Sequence, residues 1–179
     1  IIRPTEIPIT ETPTVLPSPT ALPHLMYPYT IAGLRERTFT GGEISLDVVL
    51  GLTDSYTRYL ISYPSDGLRI TGILQIPAGQ GPFPVIVMNH GFAARSSYTS
   101  GNGTDRAAEY LVARGYITIA SDFRTWGGSD ISPSFFHTGL VADVMNLIAS
   151  LPSIPQADVS RIGMWGHSMG GGITTKILT

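Results

Sequence analysis

From Ile44 onward the chain is a succession of short apolar runs broken by turn-forming residues. Ile44 to Leu50, Tyr56 to Tyr63 and Leu68 to Ile76 are strand-sized and rich in β-branched, aromatic and leucine side chains. The last two flank Pro64-Ser65-Asp66-Gly67, a composition that predicts a hairpin turn. Pro84 then precedes Val85-Ile86-Val87-Met88, a run without alternation, as burial on both faces of a parallel sheet requires. Beyond it strands begin to alternate with helices. Thr104 or Asp105 can cap a helix running to Arg114, Gly115 can end it, and Ile117 to Ser121 reads as the next buried strand. Leu140, Val141, Val144, Leu147, Ile148 and Leu151 recur at helical spacing until Pro152 stops them. Ile162 to Trp165 reads as a third buried strand and Met169 to Leu178 as a helix. Three strands followed by βαβαβα predict the α/β class, with a mostly parallel sheet and antiparallel strands at its N-terminal edge.

The pattern divides the chain into a lead-in, residues 1–43, and the folded portion, residues 44–179. Residues 1–23 hold six of the fourteen prolines and five threonines with no helical or alternating period, the composition of a stiff tether. Such tethers commonly join an export or anchoring signal to an exported domain, so an extracellular or envelope-tethered location is the expectation, with a cytoplasmic spacer as the alternative.

Composition narrows the function classes. With 42% apolar and 13% charged residues the chain has a globular balance, and a net charge of -2 with scattered Lys and Arg offers nothing to a phosphate backbone. Nucleic acid is therefore not an expected partner. No apolar run of bilayer length stands out, so no membrane span is expected. There is no cysteine, which removes disulfides, thiol nucleophiles and zinc-thiolate sites. The four histidines lack metal-ligand spacing, and Gly101-Asn102-Gly103 is followed by Arg106 where a dinucleotide fingerprint needs a third glycine. No metal and no cofactor is expected.

The chemistry lies where the third buried strand meets the last helix. Gly166-His167-Ser168-Met169-Gly170 is a G-x-S-x-G nucleophile elbow in its proper strand-turn-helix context. Ser168 must sit in a strained turn that projects its hydroxyl, and Gly166 and Gly170 leave room where strand and helix pass closely. Gly171 and Gly172, costly in a helix, suggest still closer packing. The helix start directs its amides, that of Met169 first, at the oxyanion of acyl transfer. A second donor is expected from Asn89-His90-Gly91-Phe92, after the first buried strand: the Phe92 amide, with His90 and Gly91 shaping the turn.

These pieces, with Asp122-Phe123-Arg124-Thr125-Trp126-Gly127-Gly128-Ser129, resemble the α/β-hydrolase superfamily, and within it the dienelactone-hydrolase and prolyl-oligopeptidase-like branch. The resemblance runs from about residue 56 to 179. The Asp122 loop matches a D-x-R-G-x-G-x-S pattern whose usual part is support of the site, except that Thr125 replaces its first glycine. The likeness implies a catalytic acid and then a histidine on loops after later strands, but residues 169–179 contain no Asp, Glu or His. His24 lies with the tether, His167 is read as turned away from the serine, and His137 opens a helix. Asp122 and Asp143 read as a loop anchor and a solvated helix residue. The expectation is an incomplete α/β-hydrolase, part of a longer enzyme and inactive alone, because a serine without a base is a poor nucleophile.

Hydrolysis of a small-molecule carboxylic ester through an acyl-enzyme on Ser168 is the first reading. Peptide hydrolysis is the second, since prolyl-oligopeptidase-like peptidases share these motifs. A binding module that keeps the fold without activity is the third. Acyl specificity, lid and oligomeric state have no signal in the sequence.

Overall fold

The computed structural model describes residues 24–179, and the proline- and threonine-rich run 1–23 lies outside the described residues. Six strands form one sheet in the order β1-β2-β3-β5-β4-β6. They are β1 Ser45–Leu52, β2 Tyr56–Ser65, β3 Leu68–Pro77, β4 Phe83–Asn89, β5 Ile117–Ser121 and β6 Ala157–Gly166. β1, β2 and β3 form an antiparallel meander, β3 meets β5 antiparallel, and β5, β4 and β6 run parallel. The expected class is present, as a mixed sheet.

β2 and β3 stay in register through Pro64 opposite Arg69 and Ser65 opposite Leu68, so the turn is shorter than the sequence suggests. Asp66 and Gly67 make it alone, with φ of 54° and 78°. Positive φ at both central residues is what a two-residue turn needs to match strand twist, and Asp-Gly accepts it readily.

Helices cover the two faces unequally. α3 (Thr138–Ser150) and α4 (Met169–Leu178) pack on one face, where Val85, Val87, Ile117 and Ile119 meet Leu140, Val144, Leu147 and Ile173. α2 (Asp105–Val112) lies on the other, over the smaller cluster of Met88, Ala108 and Ala120. Thr104 takes the N-cap position of α2, but its hydroxyl donates to the Gly101 carbonyl and caps nothing. Helical turns over Phe135–Ser153 are long and apolar enough by length and composition to cross a membrane, a longer run than the apolar pattern alone suggests. More than half of that window is buried, as befits a core helix.

The apolar run in β6 predicts a buried strand, yet Val159 and Ile162 are exposed and Gly163 to Gly166 only half-buried. Among the described residues it has β4 alone beside it. An apolar run marks a strand, but not how many neighbours it has.

The lead-in carries an element that its composition does not announce. α1 (Ile31–Glu36) is capped by Thr30, whose Oγ1 accepts from the Gly33 amide at 3.0 Å, and Leu34 joins the core. The amides of Gly42 and Ile44 then donate to Ser150 and Ser153 at 2.9 and 3.0 Å, fastening the chain to the end of α3.

Candidate active site

β6 ends at Gly166 and α4 begins at Met169, so His167 and Ser168 alone reverse the chain. Ser168 has φ 54° and ψ −117° and is exposed. Such a conformation costs a non-glycine residue roughly 1–3 kcal/mol and persists only where the surroundings enforce it. Its glycine neighbours show how. A Cβ on Gly170 would stand 2.0 Å from the Asn89 carbonyl oxygen, and one on Gly166 would stand 2.5 Å from the Gly170 carbonyl oxygen. Strand and helix therefore approach as closely as backbones can. Gly171 and Gly172 do not share this role: Gly171 has only ordinary contact at 3.6 Å, and Gly172 faces open space.

The loop after β4 lies against this turn. A Cβ on Gly91 would come within 3.0 Å of His167 Nδ1, 3.3 Å of the His167 carbonyl oxygen and 3.4 Å of Ser168 Cβ. Phe92 follows, 74% exposed. Gly91, Phe92, Asn102, Gly103, His167 and Ser168 line a cleft of about 210 Å³. Among the described residues neither the Phe92 amide nor the Met169 amide donates to a backbone carbonyl, and the N-terminal end of α4 opens beside Ser168. Both amides thus lack a backbone partner, and the positive end of the α4 dipole adjoins Ser168. Roomier clefts exist, one of about 490 Å³ beside Ser62 and Arg69, but it contains no strained nucleophile.

The histidines divide clearly. His90 is buried, with Nδ1 2.7 Å from the Gly91 carbonyl and Nε2 3.2 Å from the Asp122 carbonyl, its ring between Tyr98 and Phe123 at centroid distances of 4.6 and 4.5 Å. It shapes the loop, as its position implies. His167 does not turn away: it lines the cleft against Gly91. His137 is exposed ahead of α3 and His24 begins a short 3-10 helix. None of the His90, His137 and His167 rings is hydrogen-bonded to Ser168 among the described residues. Nor do three or more His, Asp or Glu side chains converge on a point that could hold a metal, among the described residues.

Behind the loop after β4 stands a brace from the chain after β5. Asp122 is fully buried and accepts from Thr71 Oγ1 at 2.6 Å, Ser100 Oγ at 2.5 Å and Tyr98 Oη at 2.9 Å. It anchors the loop as expected. Asp143, by contrast, is not a solvated helix residue. It is fully buried, accepting from Ser65 Oγ, the Arg124 amide and the Arg124 guanidinium at 2.7, 2.8 and 2.8 Å. Burial works against the charge of Arg124, but Asp143 and then Asp66 outweigh it and hold its pKa above the usual value. Burial, with Asp122 next to it, raises the phenol of Tyr98, and burial, with Asp143 next to it, raises that of Tyr63. Thr125, where the motif has glycine, stands at φ 79°, a conformation that favours glycine. The residue that sequence reasoning misses is Trp126, whose Nε1 donates to the Ala93 carbonyl at 2.9 Å. It occupies a variable place in its motif, so only the fold reveals its partner.

A mixed sheet, a strained serine between strand and helix, and a glycine loop laid against it define an α/β-hydrolase. Residues 66–179 match the family model described as X-Pro dipeptidyl-peptidase (S15 family), and the chain belongs to that family. It is also similar to lysophosphatidylserine lipase ABHD12 of Danio rerio, 27% identical over 150 residues, and to esterase FrsA of Shigella boydii, 27% identical over 112 residues. These matches cover 72% and 62% of this chain but 36% and 25% of the relatives. Among solved structures, acetyl xylan esterase 1 from a Thermoanaerobacterium species shares the fold, with a TM-score of 0.60 and 20% identity over 86% of this chain and 52% of its own. The chain thus spans about a quarter to a half of the length of the proteins it matches.

Proposed function

We propose that the complete protein hydrolyses carboxylic esters through an acyl-enzyme on Ser168. The observation that carries the reading is the exposed serine at φ 54°, beside which Gly91 leaves no room for a side chain, since a Cβ there would stand 3.0 Å from His167 Nδ1 and 3.4 Å from Ser168 Cβ. A histidine base takes the hydroxyl proton as Oγ attacks the acyl carbon, and the Phe92 and Met169 amides hold the oxyanion. The base returns the proton to the departing alcohol, and water then attacks the acyl-enzyme to free the acid and Ser168. The His90, His137 and His167 rings make no hydrogen bond to Ser168, which supports assigning the base and its acid to other sequence of the complete protein. The esterase and lipase names of the relatives support ester chemistry. Export on a residue 1–23 tether remains a proposal beside it.

Peptide hydrolysis is the second reading, favoured by one observation: the matching family model is described as an X-Pro dipeptidyl-peptidase. Both readings use the same serine. A fluorophosphonate probe is expected to label the complete protein at Ser168 and to leave a Ser168→Ala variant unlabelled. No labelling would favour a binding module over either enzyme. Parallel assays on p-nitrophenyl acyl esters and on X-Pro p-nitroanilides then rank the two, and faster anilide turnover would put peptide hydrolysis first.

A further inference from the structure

The oxyanion loop has little backbone support of its own. Among the described residues none of the amides of Gly91 to Ala94 donates to a backbone carbonyl, and the carbonyl of Ala94 accepts only from Ser97. Something else must fix the Phe92 amide relative to Ser168. Trp126 reaches the loop from the chain after β5. Its indole N–H bonds to the Ala93 carbonyl at 2.9 Å, and its ring meets Phe92 edge-on at 6.3 Å and 88° and His90 at 6.1 Å and 72°. Arg95 lies over the same ring at 5.4 Å, and the side chain is 7% exposed.

Trp126 is itself held at some cost. Phe123 and Thr125 precede it with φ of 61° and 79°, conformations that bulky and β-branched residues rarely adopt. Gly127, at φ 57°, leaves no room for a side chain, since its Cβ would stand 2.4 Å from Asp122 Oδ2. Arg124 ties the same turn to Asp143 through both backbone and guanidinium. Strain maintained by so many fixed partners marks a turn built to aim one side chain.

We propose that Trp126 is the positioning residue of the oxyanion loop, holding the Phe92 amide in register with Ser168 through the Ala93 carbonyl and the Phe92 ring. The proposal rests on the hydrolase reading above. It gives the loop after β5 a part in transition-state stabilisation although it touches no substrate.

The test uses the complete protein and a Trp126→Phe variant, which keeps an aromatic ring and removes the N–H. With active sites titrated by the fluorophosphonate, kcat on p-nitrophenyl acetate is expected to fall about 10-fold while KM changes less than about 2-fold, as misplacement of a transition-state contact predicts. The affinity for a trifluoromethyl ketone, whose hemiketal oxyanion occupies the same amides, should weaken by the same factor. A merely structural role would lower the melting temperature and the titratable fraction but leave both values per active site unchanged, and that result overturns the proposal. A second measurement needs no variant: the Trp126 indole proton should exchange with solvent about 100-fold more slowly than a free indole, and exchange at the free rate overturns the strut. Failure of the wild type to label or turn over ester refutes the hydrolase reading and this proposal with it; active wild type with an unaltered variant refutes the strut alone.

Discussion

The two halves of the candidate site are held by different means. The elbow from Gly166 to Gly170 is fixed by backbone meeting backbone, with Gly170 against the Asn89 carbonyl and Gly166 against the Gly170 carbonyl. The loop from His90 to Ala94 is fixed by the chain after β5, through the Trp126 indole on the Ala93 carbonyl, the Asp122 carbonyl on His90 and the Asp122 carboxylate on Tyr98. A site built by steric exclusion tolerates no added atom, whereas one built by a hydrogen-bonded brace is only as firm as its partners. The contrast can be tested by adding atoms to the first and removing partners from the second.

The largest effect is expected at Gly170. A methyl group 2.0 Å from a carbonyl oxygen cannot be accommodated without parting strand from helix. Gly170→Ala should therefore cost about 4 kcal/mol or more in urea unfolding, and wild-type stability would refute the steric account. Next comes the brace. Asp143→Ala leaves the buried Arg124 guanidinium with Asp66 alone and should cost about 3 kcal/mol, measured in the same way. A cost below about 1 kcal/mol would show that the loop after β5 does not depend on this pair.

Alkali should loosen the brace without any substitution. Tyr63 and Tyr98 have folded pKa values raised above the ordinary 10.0, by burial first and by Asp143 and Asp122 respectively next. Below pH 10 both states keep these phenols neutral, and above it the unfolded chain loses protons that the folded chain retains. Stability should fall as pH rises past about 10, by up to about 1.4 kcal/mol per pH unit for each tyrosine. A Tyr98→Phe variant should lose the Tyr98 part of that slope, and an unchanged slope would sink the assignment.

The smallest effects run the other way. Thr125→Gly relieves a β-branched residue at φ 79° and should stabilise by about 1 kcal/mol, read as a rise in melting temperature. Gly172→Ala meets nothing within 4 Å and should stabilise by about 0.5–1 kcal/mol through helix propensity alone, in contrast to Gly170 two residues earlier. If it destabilises instead, Gly172 has a contact that the isolated chain does not reveal.

How far the site can be read in advance follows from the same contrast. The serine turn is legible because its requirements are local: glycines two residues either side of Ser168, an apolar run before them and a helical period after. The brace is not. Asp143 occurs in a run of helical spacing, where an acid usually faces solvent, and nothing nearby in sequence shows that Arg124 and Ser65 will surround it. Ser65 is 78 residues away along the chain. Trp126 stands in view as part of a motif, but its partner Ala93 is 33 residues distant and contributes only a carbonyl, which no side-chain pattern can signal.

The amino-acid order by itself determined the period of each strand and helix, the succession that makes an α/β sheet, and the glycines without which the serine turn cannot close. These depend on neighbours within a few residues, where sterics and propensity act directly. Tertiary structure alone decided that α1 in the lead-in packs Leu34 into the core, that Asp143 is buried and that the Trp126 indole meets the Ala93 carbonyl. Each of those depends on which distant surfaces meet, and long-range contact is settled by packing of the whole fold rather than by any local run.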